Sequence, residues 1–180
     1  MVVIAQDAQG AEVAKPWVEK AKGTYTALLD QNNFIGKAYN LKYVPVGILL
    51  DESGQLVRAV GSVNIDNEDF RSELIEWVTT EAIPKAWIES DKQNKPRALT
   101  ANEQEADARF QLAIVLLANG KKDESVSELK KAFKLDPENW LIRKQLWAIE
   151  TPEAFYEGNV DYGWQKAQVE REKAELEKDE

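Results

Sequence analysis

The segment VPVGILLDESGQLVRAVG, residues 44–61, restricts the fold more than any other stretch of this 180-residue chain. Two apolar runs, 46–50 and 56–60, flank Asp51-Glu52-Ser53-Gly54, a turn composition whose glycine can take positive φ. The pattern predicts a β-hairpin, and a hairpin requires a sheet to belong to. The text before it supplies candidates. Residues 2–5 (VVIA) are a β-branched run closed by Asp7 and Gly10, and predict a strand buried on both faces. Residues 24–30 (TYTALLD) are compatible with a short strand.

Helical patterns separate these runs. AEVAKPWVEKAKG places Val13, Trp17 and Ala21 on one face and ends on Gly23, with Pro16 expected within the first turns. NNFIGKAYNLKY offers an asparagine cap followed by Ile35, Ala38 and Tyr39. After the hairpin, Asp66 or Asn67 caps a helix with Phe70, Leu74, Trp77 and Val78 at helical spacing. Strands alternating with helices predict an α/β layer over residues 1–83. Residues 84–103 hold two prolines and little periodicity, and are expected to be a linker. From 104 to 180 the pattern is helical throughout. The expected organisation is therefore α/β followed by all-α.

Composition decides what chemistry such a fold can carry. There is no cysteine and no histidine. Thiol and imidazole catalysis, thiolate zinc and histidine-ligated iron are excluded for this chain alone. Asp30-x-Asn32-x-Phe34 fails the calcium-loop pattern, since an aromatic stands at its fifth position. Asp66, Glu68 and Asp69 fit a helix start, where negative charge complements the dipole. No carboxylate pair stands out as acid and base, so no catalytic residue, metal ligand or cofactor is expected. The net charge of −9 argues against nucleic acid, and both halves are acidic, with 8 basic against 13 acidic side chains in 1–90 and 15 against 19 in 91–180. MVVIAQDAQG lacks a basic leader and its apolar run is short, so neither a signal peptide nor a membrane span is expected. The absence of cysteine fits a reducing compartment such as the cytoplasm without fixing one. Six tryptophans, Trp17, Trp77, Trp87, Trp140, Trp147 and Trp164, are expected as core or interface anchors.

Residues 106–139 resemble a single tetratricopeptide repeat. Leu112 and Ala113 occupy the paired large–small site, Gly120 the turn, Ala132 the second small site, and Leu135-Asp136-Pro137 the exit. Ser125 stands where alanine is usual, the repeat's tryptophan and tyrosine are missing, and residues 140–149 supply a capping helix. The repeat's carboxylate clamp is absent, because Phe110 and Ile114 occupy its positions. One repeat cannot bury its own face and is expected to lean on the sheet or on another chain.

Residues 2–82 resemble the later part of a thioredoxin fold, in its redoxin branch. The match rests on Tyr43-Val44-Pro45, the strand that follows, Asp51, Gly54, a second strand and Gly61. With the helical tail WAIETPEAFYEGNVDYGWQ, the chain looks like thioredoxin-like proteins whose redox motif carries selenocysteine or cysteine. The resemblance implies an incomplete sheet (strand, helix, strand, helix, hairpin, helix) and a cis peptide bond at Val44–Pro45. It also implies an edge at Val44 and Pro45 where an extended peptide pairs with backbone. The redox motif and the strand before it have no counterpart here. Two functional expectations follow. The first is a non-catalytic interaction or structural protein, self-associating or holding a protein or peptide partner. The second is part of a thiol or selenol oxidoreductase whose catalytic segment is absent from this chain. Residues 2–5 are expected either to pair in parallel with 46–50 or to keep an open edge that another chain covers.

Overall fold

The computed structural model describes residues 1–93 and 98–179, with side chains 90–93 and 175–179 left aside. In order they form β1 (Val2–Ala5), α1 (Ala11–Ala21), β2 (Thr26–Leu29), α2 (Phe34–Ala38), α3 (Glu68–Thr80) and α4 (Lys85–Gln93). Five more helices follow: α5 (Ala101–Ala118), α6 (Lys122–Leu135), α7 (Trp140–Glu150), α8 (Glu153–Tyr156) and α9 (Tyr162–Asp179). The described residues are mostly helical, with one two-stranded parallel sheet near the start, so the mixed-then-helical layout holds.

The chain divides into two compact units, and not where residue 83 would put the boundary. One unit joins Met1–Lys42 to Leu99–Glu180; the other is Tyr43–Ala98. The first unit is discontinuous because its N-terminal segment packs into the later helices. Ala8, in the loop after β1, lies in one core with Ala106, Phe110, Ala113, Ile114, Leu129, Ala132, Leu141, Ile142 and Ile149.

Helices α5 and α6 are the centre of that core. Thr100 caps α5 in a reciprocal box: its Oγ1 accepts from the Glu103 N–H, and the Glu103 carboxylate accepts from the Thr100 N–H. At the other end Gly120, at φ +74°, lets the Lys121 and Gly120 N–H groups reach the Leu116 and Leu117 carbonyls. Ala106, Ala113, Ser125 and Ala132 are fully buried, so the helix backbones approach closely; the Ser125 hydroxyl donates to the Ala113 carbonyl at 2.8 Å. Asn139 caps α7 by accepting from the Leu141 and Ile142 N–H groups. Helix α7 is then fastened to α9 by a buried Arg143–Glu172 pair at 3.1 Å, with the Trp147 indole N–H donating to the same carboxylate.

β1 and β2 pair in parallel, with Val2, Val3, Ile4 and Ala5 opposite Thr26, Ala27, Leu28 and Leu29. This overturns one of the two arrangements expected for residues 2–5, direct pairing with 46–50. It also overturns the expectation that β1 is buried on both faces: Val2 is 54%, Val3 37% and Ile4 39% exposed. The β-branched run does favour an extended strand, but with one neighbour and little helical cover its side chains stay at the surface. Two helix starts differ as well. Asn33 is left-handed (φ 55°) and caps nothing; instead Asp30 accepts from the Phe34 and Ile35 N–H groups at 2.7 and 2.8 Å. Pro16 lies mid-helix in α1, past the first turn.

The second unit contains the hairpin segment, α3 and α4. The turn forms as expected: Gly54 is at φ +82°, its N–H donates to the Asp51 carbonyl, and the Asp51 carboxylate accepts from Ser53 and Gln55. A regular ladder does not form. Two isolated antiparallel bridges, Gly47 with Gly61 and Leu50 with Leu56, stand in its place. Between them the returning arm carries two residues more than the outgoing arm, so the pairing is interrupted as in a bulge. Asn67, not Asp66, caps α3 through the Phe70 N–H at 2.8 Å. The expected linker 84–103 is largely helical over its first half. α4 buries Trp87, whose indole N–H donates to Glu73 at 2.7 Å and whose ring meets Phe70 and Trp77. Arg58 lies over both Phe70 and Trp87, at 5.1 and 5.7 Å from the ring centroids. Residues 94–97 of that stretch lie outside the described residues.

Candidate functional site

Val44 and Pro45, the residues expected to form a peptide-pairing edge, begin the second unit. Their peptide bond is cis. Val44 is exposed, as is Tyr43 before it. Among the described residues the Val44 N–H and C=O make no hydrogen bond, the first pairing of that arm being at Gly47. Gly47 is required by its surroundings: a Cβ there would stand 2.2 Å from Val63 Cγ1. The arm thus presents unpaired backbone among the described residues, and Leu50, Leu56 and Ile65 of the same unit are exposed.

The first unit presents a second open edge. The Asp30 N–H donates to the Ala5 carbonyl at 2.8 Å, so Ala5 faces β2. In a parallel pair both backbone groups of one residue point to one side, and alternate residues point the other way. Val2, Ile4 and Gln6 therefore turn their backbone groups to the side away from β2. At Gln6 that side is closed. Gln145 of α7 donates from Nε2 to the Gln6 carbonyl at 3.3 Å and accepts on Oε1 from the Ala8 N–H at 3.2 Å. A single side-chain amide thus takes the position of a neighbouring strand, leaving Val2 and Ile4 as the open length of edge.

The same loop holds a half-buried polar cluster. Tyr156 of α8 donates its hydroxyl to Asp7 Oδ2 at 2.7 Å, and the Gln9 N–H donates to Asp7 Oδ1 at 2.9 Å. Gln9 Nε2 donates to the Tyr156 oxygen and to the Ala148 carbonyl, both at 2.9 Å. Burial pushes the Asp7 carboxyl above its ordinary value, against the opposing pull of the Tyr156 hydroxyl and the Gln9 amide. Burial, with the Asp7 charge beside it, pushes the Tyr156 phenol up, so it remains a protonated donor. No local pattern announces this cluster, because its members are far apart in sequence; Asp7 reads only as the end of a strand.

A cleft of about 170 Å³ opens in the first unit between α2, the start of α5 and the start of α7. Its charged lining groups answer one another: Lys42 meets Asp136 and Glu103, and Lys37 meets Asp107 at 3.8 Å. Among the described residues no group of carboxylates is arranged to hold a metal ion, and no helix is long and apolar enough to cross a membrane. No protein-family model matches the chain, and neither do curated proteins or solved structures.

Proposed function

We propose that this chain is a non-catalytic interaction protein that self-associates, built from part of a thioredoxin-type fold and a tetratricopeptide-like helical region. The observation that carries the reading is β1, an apolar strand with one edge open at Val2 and Ile4 and with both faces exposed. Such a strand is a template for strand addition. Its parallel pairing strengthens the argument, since parallel sheets occur with both faces covered. The free backbone of Val44, beside Pro45, offers an extended peptide a second point of attachment. On α5, Leu112 and Val115 are exposed, as a lone helical repeat requires of a face meant for a neighbour. The sequence resemblances support the same assignment, through Tyr43-Val44-Pro45 with Asp51 and Gly54, and through Ala113, Gly120, Ala132 and Pro137.

Light scattering on the purified chain at micromolar concentration tests the proposal. A dimer or larger assembly is expected, and Ile4→Lys, which places a charge on the open strand, is expected to shift it toward monomer. A wild-type monomer at the highest soluble concentration overturns it. The open edge favours one alternative, an oxidoreductase whose redox segment lies outside this chain. An open reading frame upstream of the Met1 codon that encodes a selenocysteine or cysteine redox motif supports that alternative.

A further inference from the structure

The cleft beside α2 sets groups of opposite charge across from each other. Lys37 of α2 lines it, with Asn33 one turn before; α5 contributes Glu103, Asp107 and Phe110, spaced i, i+4 and i+7 and so on one face. Phe110 and Leu141 belong to the first unit's core and Leu41 packs against it, which makes the floor apolar. Two of the charges are already committed. The Lys42 ammonium meets Asp136 and Glu103, and the Glu103 carboxylate also serves the α5 cap. Lys37 and Asp107 are not held in this way: they stand 3.8 Å apart, beyond hydrogen-bond length, with side chains 61% and 33% exposed. An exposed pair of that length contributes little and opens readily. Beside them lies a donor without a partner. Asn33 is only 5% exposed, and its Oδ1 accepts from Gln6, but its Nδ2 donates to nothing among the described residues. Gly36 leaves room for that amide, because a Cβ there would collide with it.

We propose that this cleft binds one free α-amino acid with an apolar side chain, taken as the zwitterion. Its carboxylate lies between the Lys37 ammonium and the Asn33 amide, its ammonium on the Asp107 carboxylate, and its side chain over Leu41, Phe110 and Leu141. Charge decides the class of ligand. A simple anion meets Glu103 and Asp107, and a simple cation meets Lys37 and Lys42, whereas a molecule carrying both signs is answered on both sides. Size decides its length. At about 30 Å³ per water in the liquid, a cleft of about 170 Å³ has the space of about six waters, enough for one small molecule and too little for a peptide. Entry of the zwitterion exchanges the long Lys37–Asp107 contact for charge-assisted hydrogen bonds at both ends and gives Asn33 Nδ2 its acceptor. Binding there does not require self-association.

The test titrates the full chain, labelled with ¹⁵N, with L-leucine at neutral pH and reads the amide shifts. Saturable shifts at Lys37, Leu41, Asp107 and Phe110 are expected, with a Kd of about 1 mM or below. N-acetyl-leucine, which lacks the ammonium, and leucinamide, which lacks the carboxylate, are each expected to bind at least about tenfold more weakly. Lys37→Gln is expected to weaken leucine by about tenfold and to leave the leucinamide response unchanged. Asp107→Asn is expected to weaken leucine by about the same factor and to leave the N-acetyl-leucine response unchanged. No saturation up to the solubility limit of leucine overturns the proposal. So does equal affinity for leucine and either analogue, or a variant that weakens all three ligands alike, which marks a structural role. If either variant does not fold, the order of the three ligands on the wild-type chain decides the matter.

Discussion

Replacing Glu172 by alanine removes one member of the buried pair that fastens α9 to α7. Arg143 and Glu172 have side chains only 7% and 8% exposed, and Glu172 also accepts from the Trp147 indole. Removing one partner of a buried ion pair costs about 3–5 kcal/mol, because the other charge is left unanswered. Here part of that cost is offset. The Arg143 guanidinium lies over Trp140 at 4.5 Å, Phe133 at 5.0 Å and Trp147 at 5.9 Å, contacts that survive the substitution and each stabilise a cation by about 0.5–2 kcal/mol. A loss of about 3 kcal/mol is expected. At a slope of about 1.5–3 kcal/mol per molar urea, the unfolding midpoint falls by about 1–2 M. The Trp147 indole N–H resonance, followed through a urea titration, reads the first unit without interference from Trp77 and Trp87. The double change Arg143→Met with Glu172→Leu, which replaces the pair by apolar groups of similar size, is expected within about 1 kcal/mol of wild type. A loss below about 1 kcal/mol for Glu172→Ala refutes the reasoning. So does a double variant as damaged as the single one.

Gln145→Ala strips the amide that closes the end of the β1 edge and leaves the Ala8 N–H and Gln6 carbonyl without their partner. A loss of about 1–3 kcal/mol, read in thermal unfolding, and faster exchange of the Ala8 amide are expected. Ser125→Ala is expected to change stability by less than about 1 kcal/mol in the same melt. The Ala113 carbonyl that Ser125 serves lies inside α5, where the helix ladder already supplies a donor, and alanine fits the close contact.

The helical region was legible because its constraints are local. Gly120 ends α5, Pro137 follows α6, and Ala113 and Ala132 mark where two helices must approach, all within one 34-residue window. The turn at Asp51–Gly54 was legible for the same reason. The capping box Thr100-x-x-Glu103 carried a signal of equal strength that the proline-rich linker reading passed over. Trp87 shows why composition alone misleads: a helix with two flanking prolines is held by an indole whose partners, Phe70, Trp77 and Glu73, lie in the preceding helix. The irregular pairing between the hairpin arms depends on a two-residue mismatch that alternating apolar text does not reveal. Least legible was the cluster around Asp7. Its geometry is set by Gln145, Ala148 and Tyr156, and period and turn chemistry carry no information across such separations.

The seating of Ala8 on α7 has a consequence for how the chain is made. The Ala8 N–H and its Gln145 partner are 137 positions apart. At a synthesis rate of about 5–20 residues per second, the ribosome adds the intervening chain in about 7–27 s. Throughout that interval Val2, Val3 and Ile4 have been made but the surface that fastens their loop has not. Tyr43–Ala98, a compact unit continuous in sequence, is complete well before then. The nascent protein therefore carries an unanchored apolar strand ahead of a finished unit, a natural target for chaperones that hold extended hydrophobic segments. Slowing translation between the codons for residues 99 and 145 would prolong that exposure and lower the soluble yield without altering a single residue.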